Sequence, residues 1–414
     1  MILRLALKSL QSRRTSVLLT VLSIMVSVSL LISVEHIRTQ AKESFNRTIS
    51  DVDIIVGART GQINLLLYSV FRIGNPSNNI SWESYEAITA ANNVAWAVPL
   101  SLGDSHQGYR VVGTTAEYFT RYKYANKQAL KFAKGEIFAS PLEAVLGSEV
   151  AEKLGYTLGD NLVISHGIGH TSFHHHEDSP FTVAGILEPT GTPVDQTVHV
   201  SLAGIEAMHM SEDEQKTIQA QLQQGLMPEL EISSVSAVLV GLDAKFQSLF
   251  VLRQINQYEG EPLTAILPGM ALAEVWQIVG NVENILRVIS ILILISSLLG
   301  MATMLLTSIR ERQRELAILR IVGASPVTIF LLIQLEALSI SIISSFAALF
   351  LVFISLLIGA SWLGQNYGLF IETNVFTTDS AIFIAIVLVA TALIACIPAI
   401  SAYKKALQQG VQSR

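Results

Sequence analysis

The chain has 414 residues, of which 50% are apolar and 14% charged, and its mean hydropathy is +0.48. This composition is too apolar for an ordinary soluble protein and indicates a membrane protein. The net charge of −6, without a basic stripe along the sequence, argues against nucleic acid as a partner. The single cysteine, Cys396, excludes an intramolecular disulfide.

Four apolar runs are long enough to cross about 30 Å of hydrocarbon as helices. We predict transmembrane helices at 16–34, 284–309, 328–358 and 381–403. The first run could be a signal peptide, but it is long and no small-residue cleavage site follows it, so we interpret it as an uncleaved anchor. Before it, residues 1–15 mix leucine with arginine and lysine, which suits an amphipathic helix on the cytoplasmic leaflet or a simple basic flank.

Lysine and arginine beside the spans predict the orientation of the chain. They occur before the first span, in the segment 310–327 between the second and third spans, and in the tail 404–414. The loop 359–380 between the third and fourth spans has acidic residues but no lysine or arginine. Both termini and the segment 310–327 are therefore predicted in the cytoplasm, and the region 35–283 and the loop 359–380 outside it.

The region 35–283 has the composition of a folded domain. Helical spacing continues from the first span to about residue 50, and a second helix leads from a Pro268-Gly269 break into the second span, so we predict two stalk helices. Predicted strands are DVDIIVG, VAWAVPL, YRVVGT, EAVLG, NLVISHG, FTVAGIL, QTVHVSL and SAVLVGL, and predicted helices are SWESYEAITAA, GSEVAEKLG, LAGIEAMH and SEDEQKTIQAQLQQ. The sequence thus predicts a membrane α-helical protein with four transmembrane helices and a large α+β extracytoplasmic domain.

Several segments resemble those of a known family. They are LALKSLQSRRTSVLLTVLSIMVSVSL at the start, EAVLGSEVAEKLGYTLGDNLVIS and FTVAGILEPTGTPVDQTVHVSL in the domain, and IRERQRELAILRIVGASPVTIFLLIQLEA after the second span. Together they resemble the MacB/FtsX-type permeases of ABC transporters, also called type VII or mechanotransmission transporters, over nearly the whole chain. The resemblance implies a MacB-type periplasmic core domain and an FtsX-like permease domain over 284–403.

The resemblance also implies a location and partners. It places the chain in the bacterial inner membrane, with a periplasmic domain of two lobes, one of them built from chain on both sides of the other. It implies a second permease, identical or a paralogue, a dimer of cytoplasmic ABC ATPases that bind ATP and Mg²⁺, and a periplasmic protein or lipoprotein as a further partner. In this family ATP binding closes the ATPases, and the stalk helices transmit the closure without forming a pore.

The function expected from the resemblance is the export or extraction of a lipoprotein, lipid or peptide. The alternatives are ATP-driven signalling to a periplasmic partner, as in FtsX-like members, and handling of zinc or another divalent metal. The chain has no GxxxxGK[ST] motif to hold nucleotide phosphates, so we predict a non-catalytic subunit served by a separate ATPase. MacB itself carries its ATPase on the same chain, so this sequence is more similar to stand-alone permeases such as those of lipoprotein-release systems.

The segment 310–327 is predicted to contact the ATPase. A charged half, 310–315, precedes an apolar half, 316–322, and a glycine, which suits a short amphipathic helix with a glycine stop. An ordinary positive-inside loop is the alternative, although no turn-forming residue interrupts 310–322. The predicted coupling residues are Glu311, Arg312, Glu315 and Arg320 for charged contacts, Leu316, Leu319 and Val322 for packing, and Gly323 for the stop.

The spans contain few ionisable residues, namely Arg287 at an outer edge and Glu336 at an inner edge. A transport path through hydrocarbon is usually lined by buried polar groups, so their scarcity favours force transmission over conduction. Small residues that would permit close helix packing are Ser296, Ser297, Gly300, Ser339, Ser341, Ser344 and Ser345.

A histidine-rich segment separates two predicted strands of the domain. Its candidate metal ligands are His166, His170, His174, His175, His176, Glu177 and Asp178. Imidazole and carboxylate groups at this density are typical of zinc, nickel or copper binding, but their spacing is not that of a closed structural zinc site. The alternative is a solvated loop whose histidines titrate near neutral pH. The resemblance does not supply this segment, and we expect no other directly bound cofactor.

Overall fold

The computed structural model describes residues 2–125, 127–166, 180–224, 226, 228, 230–367 and 372–411. The chain separates into two units, one of residues 1–40, 279–361 and 371–414, and the other of residues 41–278 and 362–370. We call the first the membrane unit and the second the α/β domain.

The helices follow one another in this order: α1 (Ile2–Ser12), α2 (Arg14–Thr48), α3 (Gln62–Val70), α4 (Trp82–Thr89), α5 (Glu117–Arg121), α6 (Ser148–Leu154), α7 (Leu202–His209), α8 (Glu212–Gln223), α9 (Ser248–Asn256), α10 (Pro268–Glu311), α11 (Gln313–Ile321), α12 (Pro326–Tyr367) and α13 (Thr378–Val411). Short 3-10 turns lie at Pro193–Gln196 and Lys245–Gln247.

The strands are β1 (Ile54–Ala58), β2 (Ile80–Ser81), β3 (Val94–His106), β4 (Tyr109–Thr114), β5 (Lys123–Tyr124), β6 (Gln128–Ala129), β7 (Phe132–Gly135), β8 (Glu143–Leu146), β9 (Asn161–Leu162), β10 (Ser165–His166), β11 (Phe181–Leu187), β12 (Thr197–Ser201), β13 (Ser234–Val235), β14 (Ala237–Leu242) and β15 (Leu263–Ile266).

Within the described ranges, four helices are long and apolar enough to cross a membrane, namely α2, α10, α12 and α13. They confirm the four predicted spans. The helices α2 and α10, where the stalks were predicted, each continue without interruption from the apolar span into the sequence of the α/β domain.

Hydroxyl side chains connect neighbouring spans. Two of the small residues identified in the sequence, Ser297 and Ser341, take part in these contacts. Ser297 in α10 lies 3.0 Å from Ser23 and 2.7 Å from Ser27 in α2, measured between hydroxyl oxygens. Thr391 in α13 donates to Ser341 in α12 at 2.9 Å. Hydroxyl pairs of this kind let helix backbones approach closely in hydrocarbon, where the hydroxyls have no water to bind.

The α/β domain is built on an 11-stranded mixed sheet. Its main order is β15-β1-β14-β3-β4-β12-β8-β11-β7, with β10 beside β3 and β9 beside β11. The pairs β4–β12 and β8–β11 are parallel, and the other pairs are antiparallel. Strands from the beginning and the end of the domain sequence (β1, β14 and β15) form one end of the sheet, and β7, β8, β9, β11 and β12 form the other. The two lobes implied by the resemblance stay a prediction, and the strands of the α/β domain form one continuous main sheet.

Seven of the eight predicted strand segments each contain one strand, and all four predicted helices are present, which confirms the α+β interpretation. The eighth segment, NLVISHG, was predicted as one strand but forms two short ones, β9 and β10, which pair with different strands. Serine caps start three of these helices, because a serine oxygen satisfies backbone N–H groups that lack a partner in the first turn. Ser81 caps α4, Ser201 caps α7, and Ser211 forms a capping box with Glu214 at α8.

His199 on β12 is a fully buried polar residue in the sheet core. Its Nδ1 donates to the Val145 carbonyl at 3.3 Å, and its ring centroid lies 5.3 Å from that of Tyr118 and 5.6 Å from that of Phe119. Burial, reinforced by the positive charge of Arg72, lowers the pKa of His199 to about 3. The folded protein therefore contains this imidazole in its neutral form at all moderate pH values.

We expect His199→Gln to make the protein less sensitive to mild acid. The unfolded state gains a proton on His199 below about pH 6.5, whereas the folded state does so only near pH 3, so stability is lost as pH falls between these values. At pH 5 the protonation of His199 in the unfolded state lowers the free energy of unfolding by about 2 kcal/mol. Denaturant unfolding of the full chain at pH 7 and pH 5 measures this change for the wild type and for His199→Gln. The control is His209→Gln, which replaces an exposed histidine. Equal pH dependence in wild type and His199→Gln would contradict this account.

Candidate functional site

The predicted coupling segment folds as a short helix, α11, between two helix breaks. The first break is at Arg312, whose backbone is not helical (φ −101°, ψ 22°). The second is at Gly323, whose φ of +102° lies in the region that favours glycine. The single helix predicted over 310–322 is thus divided, because α10 continues to Glu311 and α11 restarts at Gln313.

Three apolar side chains of this segment lie on its surface. Ile318 is 59% exposed, Ile321 84% and Val322 81%. Large apolar side chains this exposed at adjacent positions indicate a contact with lipid or with another protein. The segment therefore presents an apolar patch, which we call the α11 patch (Ile318, Ile321 and Val322).

The predicted coupling residues fall into three groups. Glu311, Glu315, Val322 and Gly323 are exposed, whereas Leu316, Leu319 and Arg320 are partly buried. Arg312 is turned inward, with its side chain only 18% exposed. Sequence reasoning missed Ile318 and Ile321, because nearly every residue from 316 to 322 is apolar and the pattern did not distinguish the exposed face from the buried one.

Arg312 belongs to a buried charge cluster centred on Glu336 of α12. Glu336 has a side chain that is only 3% exposed. Its Oε1 accepts from Arg312 Nη1 at 3.2 Å and from the Ser9 hydroxyl, and its Oε2 accepts from Arg13 Nη2 at 3.3 Å. Arg312 Nε also donates to Glu315 Oε2 at 2.5 Å. We call these five residues the Glu336 cluster.

The Glu336 cluster joins parts of the membrane unit that are far apart in sequence. Ser9 is in α1, Arg13 is the single residue between α1 and α2, and Arg312 is the single residue between α10 and α11. Two arginines and two glutamates balance one another in charge. This balance matters because a buried charge left without a partner is strongly destabilising.

A second charge network lies at the opposite end of the first two spans. Glu35 in α2 accepts from Arg38 Nη1 at 2.6 Å and from Arg287 Nη2 of α10 at 2.6 Å. Arg38 Nε also pairs with Glu283 of α10 at 2.9 Å. Arg287, identified in the sequence as an ionisable residue at a span edge, is thus paired, and the network connects α2 to α10.

The end of α2 is fixed within the α/β domain by backbone and side-chain bonds. The Tyr122 hydroxyl donates to the Thr48 carbonyl, and the Ala125 N–H donates to the Arg47 carbonyl at 2.7 Å. These bonds satisfy carbonyls that the last helical turn leaves without a partner. Just beyond, the Ser50 N–H donates to the Lys123 carbonyl at 2.8 Å.

Asp51 adds an ionic contact beside the same helix end. Its carboxylate lies 2.9 Å from Lys123 Nζ, 3.0 Å from Lys127 Nζ and 3.3 Å from Lys245 Nζ. Hydrogen bonds from these lysines hold the pKa of Asp51 well below its usual range. The carboxylate is therefore charged throughout the physiological pH range.

Aromatic contacts hold the two stalk helices together inside the α/β domain. Phe45 of α2 lies 5.4 Å from Trp276 of α10 in an edge-to-face arrangement, and 4.2 Å from Phe71, measured between ring centroids. Leu272 and Val275 of α10 pack against the same core cluster as Phe45. Both stalks thus end in the core of this domain.

Most of the predicted metal ligands fall outside the described residues. These are His170, His174, His175, His176, Glu177 and Asp178. The first candidate, His166, lies on β10, whose register places it opposite Asp104 of β3. In the ranges that the structure describes, no group of three or more histidine, cysteine, aspartate or glutamate residues is arranged to hold a metal ion.

Comparison with known families assigns the chain. A family model described as MacB-like periplasmic core domain matches residues 17–233, and one described as FtsX-like permease C-terminal matches residues 287–407. The first match alone spans more than half of the chain. The chain belongs to the MacB/FtsX-type ABC transporter permeases. The α/β domain of this permease is therefore a MacB-like periplasmic core domain, and α11 lies within its FtsX-like permease region.

Two solved structures are similar to this permease at low identity. The periplasmic region of MacB from Actinobacillus actinomycetemcomitans is 10% identical, with 55% of this chain and 94% of that chain covered and a TM-score of 0.34. The extracellular domain of the noncanonic ABC-type transporter YknZ from Gram-positive bacteria is 13% identical, with 52% and 99% covered and a TM-score of 0.29. No curated protein sequence matches the permease significantly. The family assignment rests on the two family models.

Proposed function

We propose that this permease couples ATP hydrolysis by a separate cytoplasmic ATPase dimer to conformational work in the periplasm. The task that we propose is export or extraction of a lipoprotein, lipid or peptide, with a second permease copy or a paralogue as partner. The observation that carries the proposal is the continuity of α2 and α10, since each is one helix from its span into the periplasmic domain. A continuous helix is stiff and transmits displacement along its axis.

The proposed orientation has both termini in the cytoplasm of a bacterial cell and the spans in its inner membrane. Basic residues beside α11 and before α2 support it, because such residues are retained on the cytoplasmic side. The α11 patch then faces the cytoplasm, where the ATPase is. We propose that Ile318, Ile321 and Val322 insert into an apolar groove of the ATPase, with exposed Glu311 and Glu315 at the rim.

The contacts of the ionisable residues support transmission of force over conduction. Glu336 and Arg287, which the sequence places at the span edges, each have charged partners within the membrane unit. A charge that is neutralised by a partner side chain is not free to bind a substrate along a polar pathway through the membrane. The proposed working surface is therefore the periplasmic domain, displaced by its stalks.

The double variant Ile321→Asp/Val322→Asp is expected to abolish binding of the ATPase. Each side chain is more than 80% exposed, so the substitution costs the folded permease little, whereas charge in an apolar interface core is strongly unfavourable. Copurification of the ATPase with tagged permease from membranes measures the effect, and we expect a loss of at least about tenfold.

The matched control is Phe246→Asp, which alters an equally exposed apolar residue in the periplasmic domain (85% exposed). This control should retain the ATPase at the wild-type level. Retention of the ATPase by the α11 double variant would contradict the proposed interface, and absence of any ATPase from the wild-type permease would contradict the proposed function.

We propose divalent metal binding by the histidine-rich segment as a second function of the periplasmic domain. The supporting observation is that β10 joins the start of this segment to β3 and places His166 opposite the acidic residue Asp104. Imidazole and carboxylate groups at the density found in this segment are typical ligands of zinc and other divalent metals.

Replacing His166, His170, His174, His175 and His176 together by serine is expected to remove high-affinity zinc binding from the purified permease. Isothermal titration with zinc chloride measures this, with His36→Ser/His209→Ser as the histidine control. Zinc binding that is unchanged in the five-histidine variant would eliminate the segment as a metal site.

A further inference from the structure

We propose that Glu336 is a positioning residue that makes α11 move together with the first and third spans. This inference rests on the proposed function, in which α11 receives the movement of the ATPase. It assigns to one buried carboxylate the task of passing that movement to α2 and α12, in addition to the direct connection of α11 to α10.

The geometry supports this task because the arginines at two helix breaks, Arg13 and Arg312, converge on Glu336. Arg13 occupies the break before α2 and donates to Oε2, whereas Arg312 occupies the break before α11 and donates to Oε1. Each carboxylate oxygen thus holds a different helix junction. Displacing either junction breaks a charge-assisted hydrogen bond to the same residue of α12.

Ser9 makes the connection three-way. The Ser9 hydroxyl donates to Glu336 Oε1 and accepts from Arg312 Nη1. Arg13 Nη2 also donates to the Ser9 hydroxyl oxygen, at 3.3 Å. Ser9 is on the buried face of α1 with Ala6 and Leu10. The N-terminal helix is thereby attached to the same carboxylate, so α1, α2, α11 and α12 share one contact point.

Burial makes these contacts strong. The side chains of Arg13 and Arg312 are 13% and 18% exposed, and that of Glu336 is 3% exposed. Screening by water is weak for such groups, so each ion pair is stronger than one on a surface. Without the Glu336 charge, two guanidinium groups would lie close together with only Glu315, on the exposed side of α11, as a carboxylate partner.

A break in a helix normally absorbs displacement, because the residue at the break can change its backbone angles at low cost. Arg312 is such a residue, and its φ and ψ values already depart from the helix. The Glu336 cluster restrains it from the side. We therefore infer that Glu336 prevents α11 from swinging freely about Arg312 when the ATPase moves.

The test compares Glu336→Gln with Glu372→Gln, a matched removal of an exposed glutamate elsewhere in the membrane unit. The permease carries Cys396→Ser and Phe246→Cys, which leaves one exposed thiol in the periplasmic domain for a fluorescent label. The complex with its ATPase is reconstituted in nanodiscs, and the change in label fluorescence on addition of ATP is recorded together with the amount of bound ATPase.

We expect Glu336→Gln to bind the ATPase as wild type does, because the α11 patch is unchanged, and to lose at least about fivefold of the ATP-dependent fluorescence change. Glu372→Gln should retain both, and Glu336→Asp should recover part of the signal. This separation of binding from response is not expected of a residue that only stabilises the fold, since misfolding would reduce both.

A full ATP response in Glu336→Gln would overturn the inference. No ATP response in the wild-type complex would instead overturn the proposed function, and the inference with it. If Glu336→Gln does not accumulate, the double variant Arg13→Gln/Glu336→Gln removes one of the buried positive charges, and its ATP response is judged by the same criterion.

Discussion

The pairing of charged side chains at the two ends of the spans is the constraint on which the membrane unit depends. Hydrocarbon does not solvate ions, so a charge near a span is retained only with a partner. Glu336 meets this requirement with Arg13 and Arg312, and Glu35 meets it with Arg38 and Arg287. All of these pairs except Glu35–Arg38, which lies within α2, join different segments of the chain. The requirement for charge neutrality therefore also constrains which helices contact one another.

The two stalk helices extend this arrangement into the periplasmic domain. A helix end leaves carbonyl groups without partners, and at the end of α2 these groups are satisfied by Tyr122 and Ala125 of the domain. Edge-to-face packing of Phe45 on Trp276 then joins the two stalks inside the domain core. In the proposed mechanism these contacts are important because a stalk that was loosely attached at its outer end would move without displacing the sheet.

The sequence predicted the helices and strands whose signals are local. Strand β14 was predicted because a continuous run of β-branched and aliphatic residues needs burial on both faces, whereas β7 (FAKG) and β15 (LTAI) are too short or too polar to give a pattern. The Glu336 cluster was not predictable in the same way, because it depends on contacts between residues as distant in sequence as Ser9 and Glu336. A lone glutamate at the edge of an apolar run was the only signal, and it does not identify its partners.

Hydrogen–deuterium exchange of the permease–ATPase complex, with and without a non-hydrolysable ATP analogue, tests the central claim most directly. The account predicts that nucleotide changes the exchange of backbone amides in α11 and also at the outer end of α2, where Ser50 and Ala125 donate to carbonyls of Lys123 and Arg47. Both regions should respond in the same nucleotide concentration range. Changes confined to α11 and its immediate neighbours, with the end of α2 unaffected, would contradict transmission through the stalks.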